Sequence, residues 1–166
     1  MEKKDLVKLL DEIFFPLAFK RKGNNWVYNG DKLTKLVNLQ KSYYSNKYYI
    51  NYGFIIKGLV LKMERMHVEN RLGFIDKERE KRLNDLLDLE ADMPQSQRLA
   101  ELKVIVTDKI ASQMLLVNNE KDILDEISKR PTLNDISLVV KRHLNLPLPI
   151  VDKNKPSTMI MRFYKP

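Results

Sequence analysis

The chain has 166 residues, 43% hydrophobic and 31% charged, which is ordinary for a protein with a core of its own. It has no cysteine, which excludes a disulfide framework, a cysteine zinc site and a thiol nucleophile. The net charge of +8 invites acidic partners or nucleic acid, but it is spread out: Lys20-Arg21-Lys22 is the one basic triplet, and Asp76 to Glu101 is locally acidic.

The first residues, Met1-Glu2-Lys3-Lys4-Asp5, lead into an amphipathic helix rather than a signal peptide. The spacing of Leu6, Leu10, Ile13, Phe14 and Leu17 predicts that helix from about Lys3 to Phe15, and Pro16 ends it. Lys20–Gly23 reads as a loop. Three antiparallel strands then follow between Asn24 and Ile56. Asn29–Gly30 suits a two-residue hairpin turn, which would set Trp26 opposite Leu33. Ser45–Asn46 is the second expected turn, setting Tyr43 opposite Tyr48, Leu39 opposite Tyr52 and Val37 opposite Phe54. Side chains alternate along a strand, so both turns place the apolar residues on the face that holds Trp26. Asn38, Gln40, Ser42, Tyr49 and Asn51 fall on the other. Lys35 breaks the apolar pattern and is expected toward an edge.

A fourth strand is expected between Glu64 and Leu72, with His67 and Arg71 on one side of it. The rest of the chain is helical. Asp76 caps a helix with Leu83, Leu86 and Leu87 inward. Ser96 is expected to cap a second, whose stripe is Leu99, Leu102, Val106, Ile110, Met114 and Val117. A third follows Asn119. A fourth is expected from Thr132, with Asp135 completing a capping box and Ile136, Val139, Val140 and Leu144 inward. Beyond Asn145 the prolines point to an extended tail, in which Thr158–Tyr164 suits an edge strand. The expected fold class is therefore α+β: an N-terminal helix on a small antiparallel sheet of three to five strands, then a helical C-terminal half. The expected organisation is one domain over 1–166, with 1–75 as helix and sheet, 76–144 helical and 145–166 extended.

Catalytic patterns are sparse. The five glycines are too dispersed for a phosphate loop. His67-Val68-Glu69 starts like a deaminase zinc motif but lacks its cysteines, and no metal or cofactor is expected. His143 lies on a helical stripe. What stands out is the polar sheet face: Asn38, Gln40, Ser42, Tyr49 and Asn51, joined by His67 and Arg71. Amides both donate and accept, and a guanidinium offers a planar fork of donors, so the group suits a polar or anionic ligand. Asn is a poor strand former, which speaks against plain solvation.

Several segments, Leu17-Ala18-Phe19-Lys20-Arg21-Lys22-Gly23, Val37-Asn38-Leu39-Gln40-Lys41-Ser42, Tyr49-Ile50-Asn51-Tyr52-Gly53, and His67 with Arg71-Leu72-Gly73, resemble the bacterial family called domain of unknown function 4304, from about Leu6 to Gly73. The resemblance implies an α+β domain in a bacterial or phage setting and supplies no activity.

The leading functional expectation is a cytoplasmic, non-catalytic binding or protein-interaction domain. It would hold a protein or a small polar ligand on the polar face, an immunity-like protein beside a toxin being one form of that role. A second reading is a nucleic-acid-associated factor using Lys20, Arg21, Lys22, Lys41 and Lys47 against phosphates. A third, weaker one is a small enzyme with His67 as base and Arg71 as anion clamp. No membrane association is expected, since no apolar run nears spanning length.

Overall fold

Helix α1 spans Lys3–Phe14 in the computed structural model, which describes residues 1–61 and 65–148. Its buried stripe is Leu6, Leu9, Leu10, Ile13 and Phe14. Pro16 sits in a single 3-10 turn, Phe15–Leu17, and the chain reverses at Ala18 with φ +62°. The triplet expected as a loop is instead a short edge strand, β1 (Lys20–Lys22). Gly23, at φ +61°, makes the tight turn that pairs Lys22 with Asn25. Strands β2 (Asn25–Asn29), β3 (Leu33–Lys41), β4 (Tyr48–Ile56) and β5 (Val68–Arg71) follow. The five strands lie in chain order, and each neighbouring pair is antiparallel. An exposed edge strand made of three cations resists pairing with another chain.

Both hairpin turns lie away from their expected positions. In the first, the ladder continues through Asn29 and Thr34, whose side chains are joined at 3.1 Å, and Gly30 N donates to Leu33 O at 2.9 Å. Asp31 and Lys32 thus form the tip, and Trp26 faces Val37 instead of Leu33. In the second, Ser42 N donates to Lys47 O at 2.8 Å, and the Ser42 hydroxyl accepts from Tyr44 N at 3.2 Å. Residues 43–46 form the loop, Tyr43 is exposed rather than paired with Tyr48, and Leu39 faces Ile50 while Val37 faces Tyr52. Each slip is an even number of residues. It leaves every side chain on its expected face, because pleating alternates with period two.

The Trp26 face carries the core. Trp26, Leu33, Val37, Leu39, Ile50, Phe54 and Ile56 are buried there with the α1 stripe. The Trp26 indole donates to Asp11 Oδ1 at 2.8 Å, and Asp11 also pairs with Arg21 at 3.3 Å. Lys35 is not at an edge. It lies on the central strand of this face and is 5% exposed. Its long stem crosses apolar surface, and its ammonium reaches the carbonyl of Met114 and Asn118 Oδ1 at the end of a helix.

Helix α2 (Lys77–Leu87) is capped by Asp76, which accepts from Arg79 N at 2.9 Å. Helix α3 (Gln95–Val106) follows, with Pro94 rather than Ser96 at its cap. Arg98, absent from the expected stripe, is 1% exposed, and its guanidinium donates to the carbonyls of Asp88 and Ala91 just beyond α2. After α3 comes one π-helical turn, Thr107–Ala111, and then α4 (Ser112–Leu116). The buried residues Leu102, Val106, Ile110 and Met114 recur every four positions. An α-helix would rotate that stripe by about 40° per step. The wider π turn takes up the drift and keeps the stripe on the core. Helix α5 (Glu120–Ser128) follows Asn119 as expected, and Asn119 closes a capping box with Asp122. Helix α6 (Leu138–His143) starts well beyond Thr132, because Asp135 is held by Arg130 instead of closing a first turn. The strand expected over Thr158–Tyr164 lies outside the described residues.

Candidate functional site

The register that moved the turns also sets up a row. Lys22 faces Asn25, Asn25 faces Asn38, Asn38 faces Asn51, and Asn51 faces Arg71. One line of polar residues thus crosses all five strands on the face away from Trp26. The side chains are joined as well as aligned. Asn38 Nδ2 donates to Asn25 Oδ1 at 2.7 Å, and Asn51 Nδ2 donates to Gln40 Oε1 at 2.8 Å. The two remaining amide oxygens each hold an arginine: Arg71 Nε donates to Asn51 Oδ1 at 3.0 Å, and an Arg65 N–H donates to Asn38 Oδ1. Asn38 and Asn51 are paired residues of adjacent strands, so the two guanidiniums are tethered about 5 Å apart at their anchoring amides.

Neighbouring groups fix the arrangement further. Arg71 stacks on the Tyr49 ring at 4.5 Å, and Lys47 lies over the same ring at 5.4 Å. Gly53, one row away, leaves room for β5 to close in: a Cβ there would meet Val68 O at 1.9 Å and Met66 Sδ at 3.0 Å. Asn51 and Asn38 are only 1% and 8% exposed, whereas Arg65 and Arg71 are exposed. The amides therefore orient; the arginines present. Among the described residues neither guanidinium enters an ion pair. The nearest acid by register is Glu69, opposite Gly53. Two fixed guanidiniums with spare N–H groups match the geometry of a carboxylate or phosphate.

Of the residues singled out from sequence, Asn38, Gln40, Tyr49, Asn51 and Arg71 meet in this network. Ser42 and His67 do not. Ser42 lies past the end of β3, where its hydroxyl shapes the loop. His67 is buried, and its Nδ1 accepts from Ile56 N at 2.9 Å. Four residues of extended chain, about 13 Å, separate it from Arg71, so a shared side of the strand does not bring base and clamp together. Of the five cations named for nucleic acid, Arg21 is paired with Asp11, and Lys47 donates to Asn84 Oδ1. Lys20, Lys22 and Lys41 are exposed. Sequence reasoning missed Asn25 and Arg65. Asn25 sits before Trp26 in the alternation and was legible as an outward residue. Arg65 had no periodic signal, since it reaches the row from outside any strand.

The chain belongs to the family described as Domain of unknown function (DUF4304), whose model matches residues 10–129. The match runs past Gly73 and takes in the helices through α5, so the helical part is a family feature as much as the sheet. No curated protein and no solved structure matches the chain significantly. No helix among the described residues is long and apolar enough to cross a membrane.

Proposed function

We propose that this protein is a non-catalytic binding domain that holds an anionic group of its partner, a protein carboxylate or a small polar anion, on the Arg65–Arg71 face of its sheet. The observation that carries this is the pair of exposed guanidiniums fixed by the buried amides of Asn38 and Asn51, without a counter-ion among the described residues. Placing two cations side by side is unfavourable until an anion joins them, and buried amides that pre-orient the donors reduce the ordering entropy lost on binding. An immunity-like role beside a toxin would need this kind of rigid donor surface and no catalytic set. The cytoplasm suits a chain without cysteine.

The test follows the Arg71 Nε–H resonance by NMR while inorganic phosphate and, separately, poly-glutamate are added. A saturable shift, weakened in Arg65→Ala and in Asn51→Ala, is the expected result. Absence of a saturable shift with both anions ends the proposal.

A nucleic-acid reading keeps one specific support: the same row ends at exposed Lys22, beside Lys20 on the edge strand. A salt titration with single-stranded DNA and RNA decides it. Binding that weakens in Lys20→Glu and Lys22→Glu supports it, and none at low ionic strength removes it.

A further inference from the structure

The far side of the sheet holds a second arrangement, independent of the arginine face. Two cavities open between the 3-10 turn after α1 and the helix formed by α3, the π turn and α4. The larger is about 580 Å³ and is lined by apolar residues such as Ile13, Pro16 and Leu115 together with polar ones that include Glu12, Lys103 and Asp108. The smaller is about 280 Å³ and shares the Leu17 and Leu115 walls. The two cavities therefore adjoin at Leu17 and Leu115. Lys35, Tyr28 and Asn118 line the smaller one.

Lys35 sits there with neutral partners only. Its ammonium donates to the Met114 carbonyl and to Asn118 Oδ1, and lies over the Tyr28 ring at 5.2 Å. Two of its three N–H groups are thus engaged, and no carboxylate among the described residues is bonded to it. Burial pushes the amine below its ordinary value of 10.5, with the charge of Asp122 opposing in part. A capping role explains part of this: the end of a helix carries roughly half a negative charge, which favours a cation. It does not explain why a capping lysine should border an open cavity, since tight packing would serve a cap better. The left-handed Ala18 lines this same cavity, and the π turn lines the larger one beside it. Conformations of both kinds recur at ligand sites.

We propose that the smaller cavity binds a small amphipathic carboxylate, with its hydrocarbon against Leu17, Phe19 and Leu115 and its carboxylate on the third N–H of Lys35. An apolar cavity with a few convergent polar groups is the ordinary form of a small-molecule site. A desolvated cation at its end selects for an anion over a neutral head group.

Isothermal titration with octanoate and with octanamide, which differ only in the head group, tests this. Octanoate binds saturably, and octanamide binds roughly tenfold more weakly or worse. Lys35→Met removes the preference and leaves octanamide binding unchanged. Leu115→Trp, which fills the shared wall, weakens both ligands and carries the test if Lys35→Met does not fold. Equal affinity for the two ligands, no binding of octanoate, or undiminished octanoate binding in a folded Leu115→Trp or Lys35→Met variant overturns the assignment.

Discussion

On the helix-covered face of the sheet, Lys35 is surrounded by core and stretches its ammonium to a helix end. On the opposite face, Asn25, Asn38 and Asn51 lie in line across three strands; Asn38 donates to Asn25, Asn51 donates to Gln40, and Asn38 and Asn51 each hold an arginine. The first face tolerates a single polar head because a flexible stem can carry it to the boundary of the core. The second buries short amides that cannot reach a boundary, so each must find its partners close by, in the row or beside it. The lesson is that a buried polar group is read through its reach. A lysine in a strand pattern can be an isolated guest, whereas an aligned set of asparagines has to be a network.

The comparison can be broken first at Trp26. Trp26→Ala removes the largest fully buried side chain on the core face together with its bond to Asp11. A loss of about 3–5 kcal/mol in urea unfolding is expected. A loss no larger than that for removing a row amide would deny the core face its dominance. Gly53→Ala comes next. The added Cβ would meet the Val68 carbonyl, a backbone atom that cannot swing aside. Destabilisation of about 3 kcal/mol is expected, with faster hydrogen exchange along β5. Unchanged exchange there would mean that the close approach of β4 and β5 is not needed to position Arg71.

Asn51→Ala sharpens the other side. It strips a partner from Gln40 and from Arg71 at a fully covered position, so about 2 kcal/mol is expected from chemical denaturation. A near-zero effect would turn the row into a coincidence of register. The smallest effect at neutral pH belongs to Lys35→Met. Because burial lowers the folded-state value of Lys35, the unfolded chain binds the proton more readily between that lowered value and the ordinary 10.5. The stability of the native chain relative to Lys35→Met should therefore rise as pH increases through that window, and stay level below it. A difference that falls with rising pH would show that Lys35 gains more from the helix end than it loses in desolvation.

Much of this was legible beforehand, and for a definite reason. Leu6, Leu10 and Phe14 announce a helix by spacing, Asp76 and Asn119 announce helix starts by cap chemistry, and Trp26 and Asn51 fall on opposite faces by parity. All of these are short-range properties. The misplaced features are of another kind. Asn29–Gly30 had the right turn chemistry but lost to a longer ladder closed by Asp31–Lys32. Thr132 had cap chemistry, but Arg130 claimed Asp135. His67 looked available for chemistry and is occupied by the backbone of Ile56. In each case the local signal was real, and a competing partner or a longer pairing outweighed it.

By itself, the amino-acid sequence determined which side of the sheet each strand residue faces, because a period of two survives any even slip of the pairing. It also determined where most of the helices begin and which residues they bury. Only the tertiary structure decided which asparagine stands opposite which, that Arg65 reaches Asn38, and that Lys35 ends beside a cavity behind the turn that follows the first helix. Those outcomes depend on absolute register and on segments meeting across the chain, and no local spacing encodes either.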